Sequence, residues 1–107
     1  MGFNEATAVD SSELPVRARI HEGWDIAGNA NGGYLLAIAV RAMAAAAERP
    51  HPLTVTAHYL SPGHPGPVTI APRIVKSGRR LATVAATMYG PGKPLMELLG
   101  SFGDLNQ

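Results

Sequence analysis

Between Tyr34 and Ala47 the chain reads Tyr-Leu-Leu-Ala-Ile-Ala-Val-Arg-Ala-Met-Ala-Ala-Ala-Ala, and Arg41 is its only charged side chain. A helix that is apolar on nearly every side has to be enclosed by protein or by lipid. The run is shorter than the ~20 residues needed to cross a bilayer, and it stops at Glu48-Arg49-Pro50. Protein must therefore enclose it. Ahead of it stands Asn29-Ala30-Asn31-Gly32-Gly33, where Asn31 is a good N-cap and the twin glycines permit a tight approach. Pro50 and Pro52 end the helix, because a residue before proline avoids helical angles. At ~1.5 Å per residue, Gly33 to Arg49 is roughly 25 Å long, enough to run the width of a small sheet.

The rest of the chain supplies strand patterns to do the enclosing. Pro15 to His21 alternates Val16, Ala18 and Ile20 against Arg17, Arg19 and His21, the period of a half-buried strand. Trp24-Asp25-Ile26 reads as a short continuation beyond Glu22-Gly23. Leu53 to Leu60 alternates again, and Ser61 to Pro67 is loop by composition. Val68 to Lys76 is a strand holding Pro72, which implies an edge position or a bulge. Ser77-Gly78 turns into Leu81–Tyr89, and Gly90-Pro-Gly-Lys-Pro94 turns into Leu95–Phe102. Such short turns predict an antiparallel meander of these last three strands. The alanines from 44 to 47 let the helix sit close to it.

Composition narrows the function classes. The 107 residues suit one domain, 1–107, burying roughly 65% of its unfolded surface. A net charge of +1 gives no basic stripe for nucleic acid. The absence of cysteine excludes disulfides, thiolate catalysis and cysteine-based zinc sites. His51, His58 and His64 lack a helical ligand spacing, so no metal is expected, and no cofactor is implied. Met1 to Val9 has no basic region followed by an apolar core, so a cytoplasmic location without a membrane partner is the default.

A strand, a buried helix and a curled antiparallel sheet around it make the α+β layout of a hotdog fold. Phe3-Asn-Glu-Ala-Thr-Ala-Val9, Gly23-Trp24, Asn31-Gly-Gly-Tyr34, His58-Tyr-Leu-Ser-Pro-Gly63 and Lys76-Ser-Gly-Arg-Arg80 resemble, in order, the first half of the thioesterase-like, acyl-CoA thioesterase II-type proteins. Members of that family usually carry two hotdog units in one chain. The resemblance implies an acyl-CoA or other acyl thioester as ligand, and two units joined side by side with sites at their seam. It therefore implies a homodimer or higher homo-oligomer, or pairing with a second hotdog unit. One curled sheet leaves an open strand edge, and the Thr/Ala-rich strand Ala82–Met88 is a template for such pairing.

Hydrolysis of a thioester needs an electrophilic pocket and a group that activates water. Amides at a helix N-terminus lack intrahelical partners and sit at the positive end of the dipole. Gly32, Gly33 and Tyr34 are positioned to aim such amides at a thioester oxygen, or Asn31-Gly32-Gly33 serves only to cap and pack the helix. In single-unit hotdog thioesterases an Asp or Glu often lies along the central helix; here Arg41 stands in that region. In two-unit relatives the Asp, Thr and Gln implicated in hydrolysis lie in the second half and have no counterpart here. The remaining candidates are Asp25, Asn29, Asn31 and His58. Asp25 either orients a water or is a solvated turn residue. His58 is either a base or a structural histidine.

Tyr59, Leu36 and Met43 are candidates to line an acyl tunnel, and Arg79 and Arg80, with Lys76, are candidates for the phosphates of coenzyme A. Asp25 and His58 are also the only approximate pair for hydratase chemistry. Two functional readings follow. One is an acyl-CoA thioesterase. The other is a non-catalytic hotdog half that supplies the dimer surface and the acyl or coenzyme A pocket while a partner unit supplies the acid.

Overall fold

In the computed structural model, which describes residues 1–26 and 29–106, helix α1 (Phe3–Ala6), β1 (Val9–Asp10) and β2 (Val16–Ile20) come first. A small hairpin of β3 (Asp25–Ile26) and β4 (Asn29–Ala30) leads into helix α2 (Gly32–Ala47). Then follow β5 (His51–Tyr59), β6 (Gly66–Ser77), β7 (Ala82–Gly90) and β8 (Lys93–Gly103). Six strands form one antiparallel sheet in the order β1-β2-β6-β7-β8-β5. The β6-β7-β8 meander is the one the turns predicted. The hairpin differs from expectation: Asp25 and Ile26 do not extend β2 but pair with Ala30 and Asn29.

The sheet curls because its register shifts between Pro52 and Thr54, between Ile74 and Lys76, and between Met88 and Tyr89. Each such irregularity bends its strand and increases the local twist. Helix α2 lies in the resulting trough. Tyr34, Leu35, Ile38, Ala39, Ala42, Met43 and Ala47 are buried in one core with Val68 and Ile70 of β6, Val84, Ala86 and Met88 of β7 and Met96, Leu98 and Phe102 of β8, the helix lying chiefly over β6 and β7. Ala39 and Ala42 are fully covered, and their small size brings the helix axis close to the sheet. Gly33, Arg41 and Ala45 remain exposed, so the helix keeps one narrow open side. Arg41 fixes α1 along it, donating to the Asn4 carbonyl at 2.8 Å and the Thr7 hydroxyl at 2.9 Å. A charge on an otherwise apolar helix is thus accounted for as a clamp.

Both ends of α2 are defined by side-chain and backbone chemistry. Asn31 Oδ1 accepts from the amides of Gly33 at 2.8 Å and Tyr34 at 3.4 Å. At the far end Glu48 adopts a left-handed conformation with φ 55°, and its amide closes back on the last turn.

The free edge is not where the sequence pattern put it. Strand β7, which contains Ala82–Met88, lies inside the sheet between β6 and β8. The edge strands are the two-residue β1 and the nine-residue β5, which is paired to β8 on one side only. Alternation of Thr and Ala in β7 reflects a sheet with one face on the helix and one in solvent, not an edge. Pro72 behaves as expected: β2 pairs only with Gly66–Ile70 of β6, so Pro72 sits where that side of β6 is uncovered and no donor is required.

Candidate functional site

The start of α2 is held by three separate segments. The Asn31 amide donates to the Trp24 carbonyl at 2.8 Å, and the Ala30 amide to the Gly63 carbonyl at 2.8 Å. Trp24 stacks on Tyr34 with ring centroids 5.4 Å apart, while Phe3 meets Trp24 edge-on. Tyr34 itself is 2% exposed; its hydroxyl donates to the Ala6 carbonyl at 2.8 Å and accepts from the His21 amide at 3.0 Å. Its side chain thus ties α1, β2 and α2 together and does not face a ligand.

Above this framework lies a pocket of about 230 Å³ lined by Ala30, Gly32, Leu35, Tyr59, Leu60, Ser61, Pro62 and Gly63. Two motifs far apart in sequence build it: Asn31-Gly-Gly from the helix start and Tyr59-Leu-Ser-Pro-Gly from the end of β5 and its following loop. Tyr59 donates to the Gly32 carbonyl at 2.7 Å. A Cβ on Gly32 would stand 3.3 Å from the Tyr59 ring, and one on Gly63 would stand 3.1 Å from Leu35 and 3.2 Å from Ile20. Both glycines are there for closeness of approach.

The amides of the first helical turn are not equally available. Asn31 takes those of Gly33 and Tyr34, and the Asn31 carbonyl takes that of Leu35 at 3.1 Å. Gly32, the remaining residue of the helix start, lines the pocket, and among the described residues no bond from its amide is seen. The expectation that three amides converge on a ligand therefore reduces to one, because capping consumes the others.

Asp25 lies directly opposite Ala30 in the hairpin. Residues opposite each other in an antiparallel pair share a face, so Asp25 is on the side of the hairpin that Ala30 presents to the pocket. Asn29 stands opposite Ile26, one step farther from the helix than Ala30. His58 is elsewhere. It pairs with Glu97, which pairs with Thr87, on the face of the sheet away from α2; there the Thr87 hydroxyl donates to Glu97. Strand alternation separates His58 from Tyr59 by a whole sheet thickness.

Arg79 and Arg80 are exposed in the β6–β7 turn, at the other end of α2. Arg49, which follows that helix, donates to the Gly78 carbonyl of the turn at 3.1 Å. The sixteen residues of α2 therefore separate the arginines from their own pocket by ~24 Å. Met43 is fully buried in the core and lines no tunnel. Leu36 is different: with Val40 it follows Gly32 at four-residue steps and shares its stripe. Ala57 and Val55 precede Tyr59 at two-residue steps and share its face. Since Gly32 touches Tyr59, these partly buried apolar stripes run side by side from the pocket along the open flank of α2. Sequence reasoning passed over Ser61 as a site residue; its signal was the Ser-Pro-Gly that interrupts an alternating strand.

The signature of the acyl-CoA thioesterase N-terminal domain matches residues 20–103, which include the pocket and the sheet around α2. The chain belongs to that family. This acyl-CoA thioesterase N-terminal domain superposes with a TM-score of 0.91 on a candidate thioesterase II from Thermobifida fusca, at 27% identity over 96% of this chain and 39% of the other. A hotdog-fold protein of unknown function from Alicyclobacillus acidocaldarius gives a TM-score of 0.87 at 22% identity, covering 98% of this chain and 40% of that one. The chain thus spans about two fifths of the length of these two. A hypothetical thioesterase from Streptococcus pneumoniae, solved with coenzyme A, gives 0.81 at 16% identity over 95% and 89% of the two chains. The latter two likenesses establish the hotdog fold. No curated protein sequence matches the chain. Among the described residues, no helix is long and apolar enough to cross a membrane.

Proposed function

We propose that this chain binds an acyl thioester of coenzyme A at the start of α2 and takes part in its hydrolysis at a seam between two hotdog units. The observation that carries this reading is the pocket where Gly32, the Tyr59 side chain and the Ser61–Gly63 loop meet. A thioester carbonyl placed there finds the Gly32 amide at the positive end of the helix dipole. One donor of this kind, lost from other enzymes, costs ~3 kcal/mol of barrier. The acyl chain runs along the flank between Leu36 and Val40 of α2 and Ala57 and Val55 of β5, where apolar side chains are only partly covered. Asp25, paired with Ala30 in the hairpin, is the carboxylate to which this reading gives the role of orienting the attacking water. Asn31 positions the helix start through its cap and does not touch the carbonyl.

The second reading is a binding half whose partner unit supplies the acid. It is favoured by the pocket lining itself, which offers the Ser61 and Tyr59 hydroxyls and no carboxylate. Purified chain incubated with an acyl-CoA series, with free thiol detected, decides between them. Turnover that falls at least a hundredfold in Asp25→Asn supports the catalytic reading. Binding of coenzyme A without turnover supports the half-site reading, and neither binding nor turnover at any acyl length removes both.

A further inference from the structure

Resting on the reading that gives Asp25 its role, we infer that Trp24 is a positioning residue for that carboxylate. Helix α1, held down by Arg41, straps Trp24 in place through Phe3. The β3-β4 hairpin forms a sheet of its own, apart from the six-stranded one, and each of its strands is two residues long. A two-stranded hairpin is marginally stable in water, so contacts from outside must set where Asp25 stands. The Ala30 amide, bonded to the Gly63 carbonyl at 2.8 Å, fixes β4. β3 is reached through the residue before it. Gly23, at φ 94°, turns the chain in a conformation that suits glycine, and Trp24 follows. Its carbonyl accepts from the Asn31 amide at 2.8 Å, and its indole lies on the Tyr34 ring with planes 19° apart. Tyr34 is buried and bonded to α1 and β2, so the indole rests on a fixed platform.

Phe3 meets the same indole edge-on, with centroids 5.4 Å apart. Its helix has four residues, too few to hold a helical shape unaided. Arg41 supplies the hold. Its guanidinium donates to the Asn4 carbonyl at 2.8 Å and to the Thr7 hydroxyl at 2.9 Å. That hydroxyl, on a buried residue, donates onward to the Phe3 carbonyl at 2.8 Å. An unbroken series of contacts thus runs from Arg41 through Thr7, Phe3 and Trp24 to the strand that carries Asp25. It accounts for three features that the pocket leaves unused: the Phe3 motif, the Gly23-Trp24 pair and the lone charge on α2. The pocket walls Gly32 and Tyr59 are held by their own hydrogen bond. Loosening the strap therefore displaces Asp25 and leaves ligand binding intact.

Acyl-CoA turnover and fluorescence test this together, because Trp24 is the chain's one tryptophan. Phe3→Ala and Arg41→Ala should each move the emission to longer wavelength. Each should lower kcat about tenfold with KM unchanged, a part of the ~100-fold that a ~1 Å misplacement costs. Trp24→Leu should lose ~100-fold, and Trp24→Phe, which keeps a stacking ring, should recover most of it. In an Asp25→Asn background Phe3→Ala should add no further loss, since both act through one group. Losses that multiply, a KM that rises as kcat falls, or an emission unmoved by Phe3→Ala overturn the proposal. Should Arg41→Ala or Trp24→Leu fail to fold, Phe3→Ala alone carries the test, its side chain being about half exposed. A wild-type chain without turnover, or turnover indifferent to Asp25→Asn, refutes the hydrolytic reading instead. Amide exchange then decides the strap: a faster Asn31 amide in Phe3→Ala, with Leu35 unchanged, supports it. An Asn31 amide that exchanges as in the wild type overturns it.

Discussion

The phenolic hydroxyl of Tyr59 donates to the carbonyl of Gly32 at 2.7 Å while its ring lies against the same glycine. One contact therefore joins the last residue of the open strand to the first residue of the buried helix. It fixes the pocket's width, and it explains why Gly32 carries no side chain.

Removing that hydroxyl in Tyr59→Phe leaves a partly exposed carbonyl, so a loss of ~1 kcal/mol is expected. Urea denaturation should show it with no change in m-value. Gly32→Ala pushes the ring outward instead and is expected to weaken coenzyme A binding more than it lowers stability. Equal effects on both quantities would show that the contact is structural only.

Asn31→Ala removes the cap from two amides and is expected to cost ~1 kcal/mol, with most of it restored in Asn31→Ser. Thermal melts of the three proteins measure this directly.

Along the flank of α2, Val40→Trp fills the space assigned to the distal part of the acyl chain. Each buried methylene is worth ~0.8 kcal/mol, about fourfold in affinity. The wild type should therefore bind acyl-CoA more tightly as the chain lengthens, and Val40→Trp should flatten that rise without changing coenzyme A binding. Parallel slopes for the two proteins would place the acyl chain elsewhere.

Hydrogen bonds from the Ser12 hydroxyl, then from the Ser12 amide, hold the Asp10 carboxyl below its ordinary value, opposed by slight desolvation and assisted by Arg17. A folded-state value below the unfolded one adds stability above the unfolded titration range, and that stability is lost as pH falls through the folded value. In an NMR titration Asp10 should titrate below free aspartate, and Ser12→Ala should move it upward.

Gly100 faces β5 so closely that a Cβ would sit 2.9 Å from the Thr54 carbonyl oxygen and 3.1 Å from the Phe102 ring. Gly100→Ala is expected to destabilise the chain by ~1–3 kcal/mol through overpacking. Amide exchange should localise the effect to β5. Uniform loosening of the whole sheet would contradict it.

Much of the fold could be read from periodicity, because α2 and the β6-β7-β8 meander follow from local patterns and short turns. Long-range order could not. β5 and β7 both alternate, and nothing local says which of the two lies inside the sheet; that depends on the crossover after α2. The hairpin before α2 was misread because two-residue strands carry too little periodicity to register. For the site, Gly32 and Tyr59 were brought together at one pocket and Asp25 lies opposite Ala30 in the hairpin beside it, whereas His58 was sent to the opposite face by the two-residue repeat of its strand. Gly33 and Tyr34 were lost as donors because Asn31, read correctly as a cap, binds the same amides that the ligand was expected to use.

Pro72 has a last consequence. It removes a donor from the stretch of β6 that β2 leaves bare, and the shift at Ile74–Lys76 warps what remains of that rim. Growth by strand addition is thus discouraged on that flank. A rim that is both donor-poor and warped offers an incoming strand no flat ladder to continue, so that side of the sheet meets solvent without recruiting a neighbour.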